Sequence, residues 1–293
     1  MEWKDRNGNP VPGDPGQDKL LEFLYGTAVG RCAVKLLIRP WVSKAAGKLM
    51  DSGISWLGIS PFIRKNRIHM EEYAQRKYRS FNDFFTRELR AGARPMDTDP
   101  HHLIAPCDSK LTVYPITSQG TFAVKNTQYT LAQLLKDEDL AAKYEGGQFL
   151  LFRLTVGDYH RYCYAESGEK GENIRIPGVF HTVNPAANDR YPIYKENTRE
   201  YTLLETRQFG TVLQMEVGAT MVGRIVNYHG AKTVTRGEEK GRFEFGGSTV
   251  ILCLEKDRAM VDADILNNTA AGIETVVKMG EKIGCTCNPQ EES

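Results

Sequence analysis

From about residue 103 onward the chain consists of short runs rich in β-branched and aromatic residues, each closed by turn formers, and this texture constrains the fold more than any other feature. The runs are 111–116, 120–124, 148–156, 173–180, 211–219, 222–228, 232–235, 242–245 and 248–255. One helix is expected to interrupt them over 130–143, where Thr130 precedes leucines at 131, 134, 135 and 140. The first hundred residues read differently. After a polar, Pro/Gly-rich start, residues 17–51 carry Leu20, Leu21, Leu24, Val29, Val34, Leu37 and Ile38 at three- and four-residue spacings, with Pro40 expected to kink or end the run. A second helical stretch is expected over 67–90, where Ser80 can cap a short helix bearing Phe81, Phe84, Phe85 and Leu89. The prediction is an α+β fold: a flexible start (1–16), a helical N-terminal region (17–98) and, packed against it, a β-rich domain (99–293).

The net charge of +1 hides an asymmetry. Residues 31–67 hold Arg31, Lys35, Arg39, Lys44, Lys48, Arg64, Lys65 and Arg67 against a single acid, Asp51, and interleave them with Leu49, Ile54, Trp56, Leu57 and other apolar residues. A basic, apolar mixture of this kind suits a helix at an anionic lipid surface, and it equally suits a core-facing helix pair with a solvated basic side. No apolar run reaches the roughly 18–20 residues that span a bilayer, and the start is not signal-like, so a peripheral position at the cytoplasmic side of the membrane is expected. Six cysteines (32, 107, 163, 253, 285 and 287) are expected to remain thiols, and Cys285 and Cys287 as a lone pair do not make a metal site. No nucleic-acid partner is implied, and a homo-oligomer is compatible with the sequence.

Between two strand-like pieces lies Gly246-Gly247-Ser248-Thr249. Alone it reads as a hairpin turn. A second reading exists because Gly247 leaves its carbonyl unshielded, so the Ser248 hydroxyl can attack the peptide bond before it, an N→O acyl shift. Removal of the Ser248 α-proton then expels the ester, and hydrolysis of the product leaves a pyruvoyl group and ammonia, with the chain divided into 1–247 and 248–293.

The segment from Gly237 through Ser248-Thr249 into an apolar strand resembles the processing site of phosphatidylserine decarboxylases. Other segments resemble that family in the same order: Phe81-Asn-Asp-Phe-Phe-Thr-Arg87, Arg94-Pro95, Ala105-Pro106-Cys107-Asp108, Asp158-Tyr159-His160-Arg161, Val183-Asn184-Pro185 and Glu216-Val217-Gly218-Ala219-Thr220 with Gly223. The resemblance implies a membrane-associated carboxy-lyase that converts phosphatidylserine to phosphatidylethanolamine, with the β-rich part as catalytic domain. It implies a covalent pyruvoyl group from Ser248 as electron sink, without pyridoxal phosphate or metal.

It also implies roles for single residues. Asp108 matches the aspartate that orients a histidine for self-cleavage, and His160 the histidine of substrate-stage proton transfer. Arg161 is a candidate for an anionic headgroup, with a salt bridge as its ordinary alternative. Gly218, Ala219 and Thr220 are candidates for an oxyanion site, or equally a β-bulge.

One position departs from the pattern. The resemblance implies, from most members of the family, a second histidine as processing base three residues after the first, and here Cys163 stands there. Four accounts follow: a Cys163 thiolate as base, His160 serving both stages, a histidine from elsewhere, or a relative that no longer processes itself. For the third, His181 is nominated, on the expectation that its strand pairs with the 150–160 strand. A soluble amino-acid substrate and a non-processing lipid-binding scaffold remain as alternatives.

Overall fold

The computed structural model describes residues 2–12, 27, 30, 40–124, 127–179, 193–219, 224–244 and 248–287. In chain order its strands are β1 (Trp3–Lys4), β2 (Pro10–Val11), β3 (His102–Ile104), β4 (Ser109–Pro115), β5 (Thr121–Val124), β6 (Thr127–Thr130), β7 (Gln148–Leu154), β8 (Arg161–Cys163), β9 (Gly168–Lys170) and β10 (Ile174–Ile176). They continue with β11 (Arg199–Thr206), β12 (Thr211–Val217), β13 (Arg224–Asn227), β14 (Lys232–Val234), β15 (Glu239–Glu244), β16 (Ser248–Leu254), β17 (Ala259–Val261), β18 (Glu274–Val277) and β19 (Lys282–Thr286). The helices are α1 (Pro40–Asp51), α2 (Ile59–Asn66), α3 (Phe81–Phe85), α4 (Leu131–Leu135), α5 (Glu138–Ala142), α6 (Ile193–Glu196) and α7 (Ala263–Ala270).

The expected α+β class holds, with the strands gathered around one large sheet in the order β14-β9-β11-β12-β16-β7-β4-β18-β1-β2, to which β10 adds by pairing with β11. All pairs in it are antiparallel except β1 with β18. β16 lies inside it, between β12 and β7, and every one of its residues is buried. Its continuous apolar run follows, because both faces are covered: Ile251 and Cys253 pack with α4, α5 and the β5–β6 hairpin, while Val250, Leu252 and Leu254 pack with the opposite core. Burying each Val, Ile or Leu side chain stabilises the fold by about 1.5–3 kcal/mol, so this strand anchors both layers.

Most of 17–39 lies outside the described residues; Pro40 is the first described residue of α1, a position that suits a residue without an N–H. The helix expected over 67–90 is absent. α2 stops at Arg67, in the left-handed conformation (φ 51°), with the Ile68 amide bonded to the Ile63 carbonyl at 3.1 Å. Residues 72–74 then pair back on 88–90, through the Ala74 amide to the Glu88 carbonyl and the Arg90 amide to the Glu72 carbonyl, both 2.9 Å. In that stretch the described residues form a one-turn 3-10 helix (Met70–Glu72) and α3, the latter capped as expected by Ser80, whose Oγ accepts the Asp83 amide at 3.1 Å. Phe81, Phe84 and Phe85 of α3 form a small core with Ile59 and Phe62.

Thr130 caps α4 as expected, but Lys136 turns left-handed and Asp137 accepts the Leu140 amide, so the predicted single helix is two. The N-terminal residues depart further from expectation. Residues 2–12 are ordered, because Asp5 accepts the amides of Asn7 and Asn9 to close a turn between β1 and β2, and Arg6 bonds Asp262, Asp264 and the Lys282 carbonyl.

Candidate active site

The two strands flanking Gly-Gly-Ser belong to different sheets. β15 pairs with β13 and β8 in a three-stranded sheet, while β16 pairs with β12 and β7 in the large one. Among the described residues they do not pair with each other, so the hairpin reading fails and residues 245–247, Gly247 among them, link two layers; those three lie outside the described residues. The buried ion pair Lys240–Glu216 (2.6 Å) ties β15 to β12, with Asn227 of β13 bonded to both partners.

Ser248 is the first residue of β16, opposite Leu154 of β7. It is fully buried and, among the described residues, its Oγ has no hydrogen-bond partner. Thr249 shares a cross-strand row with Lys110, Arg153 and Val217, so Ser248 projects to the other face of the sheet.

His160 approaches from both sides of the same junction. It follows β7 by a tight turn in which the Asp158 amide bonds the Thr155 carbonyl (3.0 Å) and the Asp158 carboxylate takes the Thr155 amide (2.7 Å). Its own carbonyl accepts the Phe243 amide of β15 at 2.8 Å. The imidazole is fully buried, packed against Phe85 with centroids 4.1 Å apart and the planes tilted by 38°, and its Nδ1 lies 2.9 Å from the Asp158 carbonyl oxygen. A carbonyl only accepts, so the proton sits on Nδ1 and the lone pair on Nε2, which has no partner among the described residues. Burial lowers the imidazole pKa to about 4, with the charges of Arg87 and Lys110 adding to the shift and Asp158 opposing it.

Asp108 is buried just before β4 and meets no histidine among the described residues. Arg94 clamps its carboxylate (2.7 and 3.0 Å), the Met279 amide donates at 2.9 Å and Lys278 lies 3.3 Å away. Burial alone would push this carboxyl up, and these donors more than offset it, holding it below the usual carboxylate range. Cys163 is close by, its amide bonded to the Pro106 carbonyl, but burial pushes its thiol up to about 12.

The remaining expectations fare differently. Arg161 bonds the Thr86 carbonyl, Glu239 and Glu88, joining α3's segment to β15, and it also lines a second cavity of about 340 Å³ together with Arg90 and Arg94. Gly218 donates its amide to the Thr198 carbonyl and accepts from Asn197, so that amide is not available to an oxyanion; Ala219 is buried beside it and Thr220 lies outside the described residues. His181 also lies outside them. The strand before it, β10, pairs with β11 and not with β7, both of whose edges are already taken by β4 and β16.

Sequence reasoning gave no role to Arg87, Arg94, Lys110, Asp158 or Lys278, although three of them stand within the quoted motifs. Lys110 holds the Asp158 carboxylate at 2.6 and 2.7 Å. A cavity of about 500 Å³ opens beside this pair, with Trp3, Arg67, Asp108 and Lys278 among its lining residues. Among the described residues no group of three or more His, Cys, Asp or Glu side chains is arranged to hold a metal ion.

The phosphatidylserine decarboxylase family model matches residues 81–285. The chain is 47% identical over 267 residues to phosphatidylserine decarboxylase proenzyme 2 of Clostridium acetobutylicum, covering 91% of each chain. It is 43% identical over 273 residues to the phosphatidylserine decarboxylase proenzyme of Clostridium novyi, covering 91% of this chain and 92% of that one, and 41% identical over 270 residues to that of Fusobacterium nucleatum, covering 90% of each. Matches of this extent run through every segment that builds the Ser248 and His160 junction, and the chain belongs to the phosphatidylserine decarboxylase family.

Proposed function

We propose that the chain is a self-processing decarboxylase that converts phosphatidylserine to phosphatidylethanolamine at the cytoplasmic face of the membrane, using a pyruvoyl group made from Ser248. The observation that carries this reading is Ser248 itself: a serine at the head of an interior strand, fully buried, its hydroxyl without a hydrogen-bond partner, at the end of a link between two sheets. A buried hydroxyl left unsatisfied costs about 1–3 kcal/mol, and it leaves this oxygen uncommitted and able to act as a nucleophile. These residues fit the pyruvoyl group.

In processing, Ser248 Oγ adds to the Gly247 carbonyl carbon and passes its proton to His160 Nε2. The peptide C–N bond breaks, its nitrogen takes a proton, and an ester joins the two parts. Loss of the Ser248 α-proton then breaks the ester C–O bond, expelling the Gly247 carboxylate, and water releases ammonia from the dehydrated residue. No oxidant is needed. Of the four accounts of the Cys163 substitution, His160 acting at both stages is best supported: its Nε2 is unpartnered, the Cys163 thiol is too weakly acidic to be a base, and Asp108 is committed to Arg94.

At the substrate stage the pyruvoyl group supplies an electron sink for the pair left by departing CO2. His160 Nε2, once protonated, returns a proton to the substrate carbon. Arg67 and Lys278 at the cavity beside Asp158 offer positive charge to a phosphodiester.

For membrane attachment the candidates are Leu49, Ile54, Trp56 and Leu57, exposed by 60, 76, 56 and 61%, beside Lys48, Arg64 and Arg67. Large apolar side chains in water next to cations favour an anionic lipid surface over a free amino-acid substrate. No described helix is long and apolar enough to cross a bilayer.

Intact mass under denaturing conditions tests the proposal. The expected products are 1–247 and 248–293, the second lighter than its sequence by one ammonia, whereas Ser248→Ala remains one chain of 33.0 kDa. An uncut wild-type chain would refute it.

A further inference from the structure

Arg87 is fully buried, and among the described residues no carboxylate pairs with it. Its Nη2 donates to the Tyr73 hydroxyl (3.1 Å) and to the carbonyls of Gly157 and Asp158 (both 3.2 Å), while Nε and Nη1 have no hydrogen-bond partner. The guanidinium carbon lies 4.2 Å from the centroid of the Tyr73 ring and 5.0 Å from that of Phe84. A cation buried without a counter-ion is a poor stabiliser, because an apolar side chain of similar volume avoids the desolvation penalty. Its placement has another use.

The Asp158 carbonyl that Arg87 holds is the one that takes the Nδ1 proton of His160. The segment bearing Arg87 therefore grips the imidazole twice, with Phe85 packed against the ring and Arg87 behind its acceptor. The charged groups around the ring are Asp158, Arg87 and Lys110, and the Asp158 carboxylate is itself paired with Lys110. Arg87 is thus the cation near His160 that no acid neutralises.

We propose that Arg87 is a positioning residue for His160, holding the Asp158 carbonyl that keeps the imidazole proton on Nδ1 and setting an unneutralised positive charge beside the ring. This rests on the reading of His160 as the processing base, but its measurement does not. In the Ser248→Ala protein with 15N-labelled histidine, the His160 signals, assigned with His160→Gln, are expected to show a protonated Nδ1 and a bare Nε2 at pH 7. Adding Arg87→Met should raise the pH at which His160 takes up its second proton by about one unit, and Arg87→Lys should keep it near the parent value. The opposite tautomer overturns the proposal, as does a titration unmoved by Arg87→Met. Should the Met variant not fold, the tautomer decides alone. In the cleaving protein the acid limb of the self-cleavage rate should shift by the same amount. If the wild type never cleaves while the titration shifts as stated, the processing reading fails and the positioning role stands.

Discussion

The Lys240 ammonium lies 2.6 Å from the Glu216 carboxylate with both side chains fully buried, and this contact fastens β15, which leads into the Gly-Gly-Ser link, to β12 beside β16. Burial raises the pKa of Glu216 and lowers that of Lys240, each opposed by the partner. Breaking such a pair leaves one charge without its complement. Lys240→Met is expected to cost about 3–5 kcal/mol in urea unfolding, and Lys240→Met with Glu216→Leu to recover much of it. Self-cleavage should slow in the single variant even where it remains folded, as measured by mass spectrometry over time.

The resemblance implies a processing base at the position Cys163 fills, yet with a thiol pushed up to about 12 only about one molecule in 10⁵ is a thiolate at pH 7. Cys163→Ser is therefore expected to self-cleave within about threefold of the wild-type rate. A loss of about a hundredfold or more, the usual worth of a general base, would return that role to the thiol.

His160 links stability to pH. Above 6.5 it is neutral in both folded and unfolded chains; as pH falls, the unfolded chain takes up a proton near 6.5 while the folded imidazole resists until about 4. The folded state therefore loses stability across that window, by about 3 kcal/mol in all. Urea midpoints of Ser248→Ala at pH 7 and 4.5 should differ by more than those of Ser248→Ala with His160→Gln.

The N-terminal segment is bonded to residues that follow Ser248, β1 pairing with β18 and Arg6 bonding Asp262, Asp264 and the Lys282 carbonyl, while its Trp3 ring lies under Lys110 and Arg153. Arg6→Ala is expected to cost about 1–2 kcal/mol, as loss of charge-assisted bonds at a part-buried site should. In the cut protein the 248–293 fragment should appear at lower urea in size-exclusion chromatography.

Ile54, Trp56 and Leu57 replaced together by serine should weaken binding to phosphatidylserine vesicles by about tenfold or more, while self-cleavage persists. Unchanged flotation with those vesicles would remove the membrane role from this patch.

Sequence pattern revealed the strands that bury both faces, such as β16 and β7, because an apolar run between turn residues carries the signal by itself. β11 escaped it: Arg199, Glu200 and Glu205 break the run, and Arg199 is buried through bonds to the carbonyls of Leu134, Lys195 and Asn197, which no local pattern foretells. The same limit governs the site. Ser248 and His160 stood out through motifs, whereas the sheet change across 245–247 depends on partners over seventy residues away. Asp108 was assigned a histidine and found Arg94 instead, because a motif preserves residue types and not their pairing. Arg87 sat in a quoted motif with no role because its meaning lies in the Asp158 carbonyl, a backbone atom.

The interior place of β16 has a consequence for the life of the molecule. While the chain is whole, that strand inserts between β12 and β7 as an intramolecular event, at a closure cost that grows only slowly with loop length. After a cut at Gly247 the same insertion requires two separate molecules to meet, and at the dilution of a cell a fragment of 46 residues lacking its sheet has little to hold it folded. Folding must therefore be finished before the bond is broken, and a processed molecule that unfolds has no return path on its own. Its persistence is set by how slowly it opens.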